Sequence, residues 1–255
     1  MPNRLSLIAL PDIPLVEPGD DLCGLIGSSV DRAGEELRDG DVLVIAQKIV
    51  SKAEGRYAVL DEVEPSAEAI KLGQKTDKDP RLVELILSES SEILRHRPGV
   101  LIVAHRLGFV LANAGIDSSN VAPNNDGQCV LLLPLDPDGT CTKLRAEILA
   151  RFGKSVAIVI NDSVGRAWRV GTVGIAIGTS GLESVQDLRG QEDLYGRPLM
   201  VSIVGMGDEL AAAASILQGQ GDEGLPVVLV RGLERSNEQG NASTLVRDEA
   251  EDLFR

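Results

Sequence analysis

DVLVIAQKIVSKAEGR, residues 41–56, joins an unbroken apolar run to a polar, basic one. Residues 41–46 have the length and branched composition of a buried strand, opened by a turn at Asp39-Gly40. Gln47, Lys48 and Lys52 follow at once, at the end of a strand, where sites are commonly built. Outward from this stretch, further apolar runs read as strands: 100–104 and 109–112 joined across a turn at Gly108, then 129–135, 156–160, 199–204 and 227–230. Residues 170–177 are glycine-rich and strand-like. The spacing predicts helices over 80–95 with Pro80 at the start, over 143–152 ended by Gly153, over 208–217, and over 245–254 at the terminus. Residues 236–243 read as a polar loop. Strands and helices do not alternate in a regular βαβ series, so the expected class is α+β or an irregular α/β fold with a mixed sheet. No repeat and no clear linker appears, so all 255 residues are taken as one unit, with room for two subdomains.

Composition narrows the function. Hydrophobic residues make up 43% of the chain and aromatics only 2%, so Val, Ile, Leu and Ala must build the core and few rings exist to stack on bases. The formal net charge of −14 disfavours binding to nucleic acid or to an anionic membrane. An anionic ligand must therefore be drawn by something local: a metal ion, or a few clustered Lys and Arg. Cys23, Cys129 and Cys141 have no CxxC spacing, and His96 and His105 are the only histidines, so a structural zinc site is not expected. Free thiols in a reducing cytosol fit this pattern. No signal peptide is legible in the first 14 residues, and no run reaches the ~18 apolar residues of a membrane span.

Three polar segments follow directly on predicted strands. In the first, Lys48 and Lys52 are four residues apart and share a face of any helical turn, so they can grip a polyphosphate; a solvated basic loop gives the same pattern. The second, NAGIDSSN at 113–120, offers Asp117 as a hard oxygen ligand for Mg²⁺ or Mn²⁺, with Ser118, Ser119 and Asn120 beside it. An Asx-type turn uses the same residues. The third, NDSVGRAWR at 161–169, reads as a loop in which Asp162 and Ser163 can share a metal with Asp117, while Arg166 and Arg169 present planar forks to a carboxylate or phosphate. A fourth segment, GMGDEL at 205–210, begins like a dinucleotide fingerprint. Leu210 replaces its third glycine, and Asp208 and Glu209 put negative charge where a pyrophosphate would dock, so a Rossmann site is disfavoured. No GxxxxGK[ST] run exists, which excludes a P-loop.

Residues 40–56 (GDVLVIAQKIVSKAEGR), 114–120 (AGIDSSN), 160–169 (INDSVGRAWR) and 251–255 (EDLFR) together resemble the coenzyme F420:L-glutamate ligase family, F420 being a deazaflavin coenzyme. The resemblance runs in the same order over nearly the whole chain. It implies a two-part α+β fold, neither P-loop, Rossmann nor ATP-grasp, that forms a homodimer in the cytosol. It implies a GTP-dependent, GDP-forming ligase that uses two Mg²⁺ or Mn²⁺ ions and K⁺. Such an enzyme joins L-glutamate to the carboxylate of the precursor F420-0 and then adds further γ-linked glutamates. Carried over residue by residue, Asp117, Asp162 and Ser163 are implied metal ligands; the family often has Thr where Ser163 stands. Gln47, Lys52 and Asn120 are implied GTP contacts, with Gln220 and the segment Ile13, Pro14, Leu15 and Val16 more loosely so. His105 stands where relatives carry a different polar residue. The flavin-dependent C-terminal domain of the two-domain mycobacterial relative, with its reductase activity, is expected to be absent.

The chemistry accounts for these parts. An amide does not form from a free carboxylate in water unless the carboxylate is activated, and an acyl phosphate made from GTP is one route. Every reactant is an anion, so metal ions and a few cations must offset their charge. Arg166 and Arg169 are the candidates to hold the reacting carboxylate, and Asp208 or Glu209 the candidates for a base. Two other readings have the same motifs: a GTP- and metal-binding sensor without turnover, and a ligase for another acidic acceptor.

Overall fold

Alternation along Val42–Ala46, the second strand, sorts its side chains into two cores: Leu43 and Ile45 join one, Val42 and Val44 the other. The computed structural model describes residues 4–121, 128–234 and 240–253. Its central element is a five-stranded sheet of β1 (Ser6–Ala9), β2 (Val42–Ala46), β8 (Ala157–Gly165), β9 (Thr172–Ser180) and β12 (Val227–Arg231), in the order β1-β12-β2-β8-β9. Only the β2–β8 pair is parallel, so the sheet is mixed, as expected. β8 and β12 alternate as β2 does: Ile158, Ile160, Val227 and Leu229 face one way, Ala157, Val159, Val228 and Val230 the other.

Each face is covered. Helices α1 (Leu22–Arg32) and α5 (Pro137–Phe152) supply Cys23, Ile26 and Val30 and Cys141, Leu144 and Ile148 to the first core. Helix α6 (Met206–Gln218) closes the other with Leu210, Ala211 and Ala214. Local signals define the ends of α5: Asp136 caps Gly139 N–H, Pro137 fills the first turn, and Gly153 closes it in the left-handed conformation. α6 lies so close to the sheet that a side chain at Gly174 would meet the Ala211 carbonyl. A third core joins α3 (Ala67–Thr76) and α4 (Pro80–Ser88) to a sheet of β4 (Ser90–Arg97), β5 (Val100–His105) and β6 (Val110–Ala112). β3 (Tyr57–Val59) pairs with β7 (Cys129–Leu131), and β10 (Gln186–Asp187) with β11 (Ile203–Val204). The remaining helix, α2 (Gln47–Ala53), follows β2 without a break.

Several predicted boundaries are corrected. The helix over 80–95 stops at Ser88, and 90–97 is a strand. Ile93 stands seven residues beyond Ile86 and so imitates another helical turn, but the Ser88 and Ser90 hydroxyls take the Leu85 and Ile86 carbonyls as the helix ends. The loop over 161–169 is strand as far as Gly165, because pairing with β9 outweighs its polar composition. The strands over 129–135 and 199–204 shrink to 129–131 and 203–204. Helix 143–152 begins earlier, at Pro137. The terminal helix is replaced by short 3₁₀ turns at Ala242–Leu245 and Glu249–Glu251. Residues 236–239 of the polar loop, and Phe254 and Arg255 of the last motif, lie outside the described residues.

Candidate active site

Three of the predicted polar segments meet. α2 presents Lys48 and Lys52 toward the loop that carries Asp117, Ser119 and Asn120. Lys48 Nζ lies 2.7 Å from Asp117 Oδ2 and donates to Ser119 Oγ at 2.8 Å. Lys52 Nζ donates to the Asn120 carbonyl at 2.7 Å. The basic run is thus a helix face packed on a loop, not a solvated loop. The Asx turn and the candidate ligand are the same residue. Asp117 Oδ1 accepts both the N–H and the hydroxyl of Ser119 at 2.7 Å, which leaves Oδ2 to Lys48. Asn113, Ala114 and Asn120 hold positive φ, a conformation that costs a non-glycine residue about 1–2 kcal/mol. Asp117 backbone groups anchor the loop by exchanging both hydrogen bonds with Leu131 at 2.8 and 2.9 Å.

β8 supplies the second carboxylate. Successive strand residues face opposite ways, so Asp162 turns toward α2, where the Gln47 side chain favours its charge, and Ser163 turns toward α6. Gln220, just beyond α6, donates to Ser163 Oγ at 2.7 Å, and Asn120 donates to the Gly221 carbonyl at 3.0 Å. The close approach at Gly174, which pairs with Ser163, is what lets the end of α6 reach this point. Gln47 is buried and also accepts from Ser51 at 2.9 Å.

The charges are unevenly compensated. Burial is the main force on Asp162 and pushes its pKa up to about 6; the Ser163 N–H works against it, while the Asp117 charge adds to it. Burial also opposes the charge on Asp117, but the Lys48 ammonium and the two Ser119 donors prevail and its pKa falls below the usual range. Burial and the neighbouring Lys48 lower the pKa of Lys52. Two carboxylates therefore share one ion-paired ammonium, and one of them is held at a cost. That is the donor set a divalent cation fits: hard oxygens, low local dielectric and an excess of negative charge.

Other predicted residues stand apart from this cluster. Arg166 and Arg169 are exposed at the tip of the β8–β9 hairpin, beside Trp168 at 87% exposure. Ile13, Pro14, Leu15 and Val16 form a stretch without regular structure; Val16 is buried and Leu15 is 88% exposed, and Gly19 N–H bonds Ala53 O at the end of α2. Asp208 is not brought to the cluster either. Its Oδ1 accepts the Ala176 N–H at 2.9 Å, and it lines a cavity of about 200 Å³ with Phe109, Ile175, Leu245 and Arg247. Of the cavity's lining, Ile175 is the cross-strand partner of Asp162. Glu209 is exposed. Asp21, Cys23 and Glu147 also lie close together, but Asp21 is committed to Gly24 N–H and Arg151.

Sequence reasoning missed a second ionic cluster. Glu89, 8% exposed, receives Arg56 Nη2 on both oxygens at 2.9 Å and Arg106 Nε at 3.1 Å. His105 Nε2 lies 3.4 Å away, while its Nδ1 accepts the Leu107 N–H. Burial would raise the Glu89 pKa, but His105, Arg56 and Arg106 hold it at about 2. No motif marks these residues, because they are scattered over fifty positions and meet only in the fold.

The chain matches a family model described as F420-0:Gamma-glutamyl ligase over residues 12–232. It is 46% identical over 253 residues to the coenzyme F420:L-glutamate ligase of Methanothermobacter thermautotrophicus, covering 98% of this chain and 99% of that one. Identity to the protein of the same name from Methanopyrus kandleri is 45%, with coverage of 98% and 99%. For the Archaeoglobus fulgidus protein it is 43%, with coverage of 99% and 97%.

Proposed function

The chain belongs to the F420-0:gamma-glutamyl ligase family, and on that premise we propose that it joins L-glutamate to the carboxylate of F420-0 at the expense of GTP. The observation that carries this reading is the meeting of Asp117 and Asp162, from distant segments, under the one ion-paired ammonium of Lys48. Asp117, Asp162 and Ser163 are the groups to hold Mg²⁺ or Mn²⁺, with K⁺ as a further cation. When bound there, the metal supplies neutralisation of phosphate oxygens and polarisation of the transferred phosphoryl group.

The residues of the chain do the rest. Lys52 directs its ammonium at a carbonyl instead of a carboxylate, so its charge is available for a phosphate. Gln47, Asn120, Gln220 and the 13–16 stretch complete the nucleotide's surroundings. Arg166 and Arg169 offer bidentate forks to the acceptor carboxylate from the hairpin tip. An oxygen of that carboxylate bonds to the γ-phosphorus, the bond to the β–γ bridging oxygen breaks, and GDP leaves. The glutamate amine then attacks the acyl carbon, the C–N bond forms, phosphate departs, and the amine gives up a proton. Repetition on the new γ-carboxyl adds further glutamates.

Cys23, Cys129 and Cys141 are free thiols, in keeping with the cytosol. No helix among the described residues is long and apolar enough to cross a membrane. Leu194, Tyr195, Met200 and Val201 expose an apolar surface around β10 and β11, suited to a second copy in a homodimer. The test is mass spectrometry after incubation with F420-0, glutamate, GTP and Mn²⁺. The reading predicts a product heavier by one or more glutamyl residues, with one GDP per bond. GDP release without the glutamyl product, or product formation without GTP, would contradict it.

A further inference from the structure

We infer that Lys48 is the resident counter-cation of this site, and that a divalent ion binding at Asp117 and Asp162 must displace its ammonium. The inference rests on the reading of those two carboxylates as metal ligands.

Asp117 spends its two oxygens differently. Oδ1 is taken by the Ser119 N–H and hydroxyl, a fixed turn that a bound ion need not disturb. Oδ2 has Lys48 Nζ at 2.7 Å. The same ammonium stabilises the Asp162 charge, so it acts on both carboxylates at once. That is the electrostatic part a metal would play there, and two like charges so close to one centre repel strongly. A dication and Lys48 therefore compete for the same oxygen.

The side chain has somewhere to go. Lys48 and Asp117 are each 26% exposed, so the ammonium can leave along a solvent path without crossing the core. Its α2 neighbour one turn on, Lys52, already points at the Asn120 carbonyl. A displaced Lys48 would join Lys52 on the face offered to the nucleotide phosphates. Lys48 is a positioning residue: it holds the 117–120 loop closed through Asp117 and Ser119 before the metal arrives, then passes to the polyphosphate.

The test measures Mn²⁺ binding to the full chain without nucleotide, by paramagnetic resonance of the free ion. Lys48→Met keeps the stem and removes the charge, and Lys48→Gln keeps a polar tip toward Ser119. Both should bind Mn²⁺ about tenfold more tightly than the unaltered protein, and both should bind a non-hydrolysable GTP analogue with Mn²⁺ more weakly. Unchanged or weaker Mn²⁺ binding in both variants, with binding lost in Asp117→Asn, would overturn the role of Lys48 and leave the metal reading standing. Full Mn²⁺ binding by Asp117→Asn would overturn both.

Discussion

Two clusters of carboxylates and cations, each gathered from separate parts of the chain, are built on opposite principles. Around Glu89, one carboxylate receives two guanidinium groups and an imidazole, and its charge is held at a pKa of about 2. Around Asp117 and Asp162, two carboxylates share one ion-paired ammonium, and Asp162 is driven up to about 6. The first is complete within the protein and ties the end of α4 to Arg56 and to the turn after β5. The second is incomplete until something cationic arrives. Under-compensated buried charge marks a place built for a ligand; over-compensated charge marks a joint of the fold.

Removing a carboxylate should separate the two most sharply. Asp117→Asn is expected to lower the rate of ligation by on the order of 10²–10³, since several kcal/mol of charge stabilisation go with the metal. Its melting temperature should stay near that of the unaltered protein, read by circular dichroism. Glu89→Gln should do the reverse. It leaves the half-buried Arg56 beside a neutral partner, a change that costs about 3 kcal/mol, toward the low end for a broken buried pair. The melting temperature should drop by on the order of 10 °C, with the rate per folded molecule preserved. If Glu89→Gln were fully stable but inactive, the division between joint and site would collapse.

Lys52→Ala probes the site alone. It should raise the KM for GTP on the order of tenfold, the size of a lost charge-assisted hydrogen bond, and weaken GDP in step. A collapse of glutamate affinity with GTP unchanged would move Lys52 to the acceptor side.

The smallest effect is on stability against pH, and the two clusters should differ in sign. Glu89 has a folded pKa below its usual 4.5, so its contribution is present above pH 4.5 and fades as pH falls toward about 2. Asp162 has a folded pKa of about 6, above its usual 3.8, so its contribution is whole below about 3.8 and fades as pH rises through 6. Metal-free protein should therefore melt a few degrees lower at pH 7.5 than at pH 5. Asp162→Asn should remove that decline, and a scan of melting temperature against pH on both proteins decides it.

The joint and the site differ as well in how far the sequence reveals them. The strand at 42–46, the hairpin about Gly108, the later part of helix α5 with its Gly153 end and the α6 register were legible, because apolar periodicity and caps are local. So were the polar residues at strand ends that gather in the site. β1, α1 and α3 were not, since their apolar patterns are short. Asp162 reads as a loop residue in sequence because its strand membership depends on a partner, β9, that composition does not announce. The Glu89 joint was invisible for the same reason: Arg56, Glu89, His105 and Arg106 acquire meaning only when folding brings β5, α4 and the end of α2 together.

On the proposed reading, Asp117 and Asp162 hold a divalent cation between them. Anomalous diffraction from crystals grown with Mn²⁺ and GDP locates such an ion directly. The account predicts a peak within coordination distance of a carboxylate oxygen of each residue. Crystals of an actively ligating preparation, saturated with Mn²⁺, that show no peak between these carboxylates would contradict it.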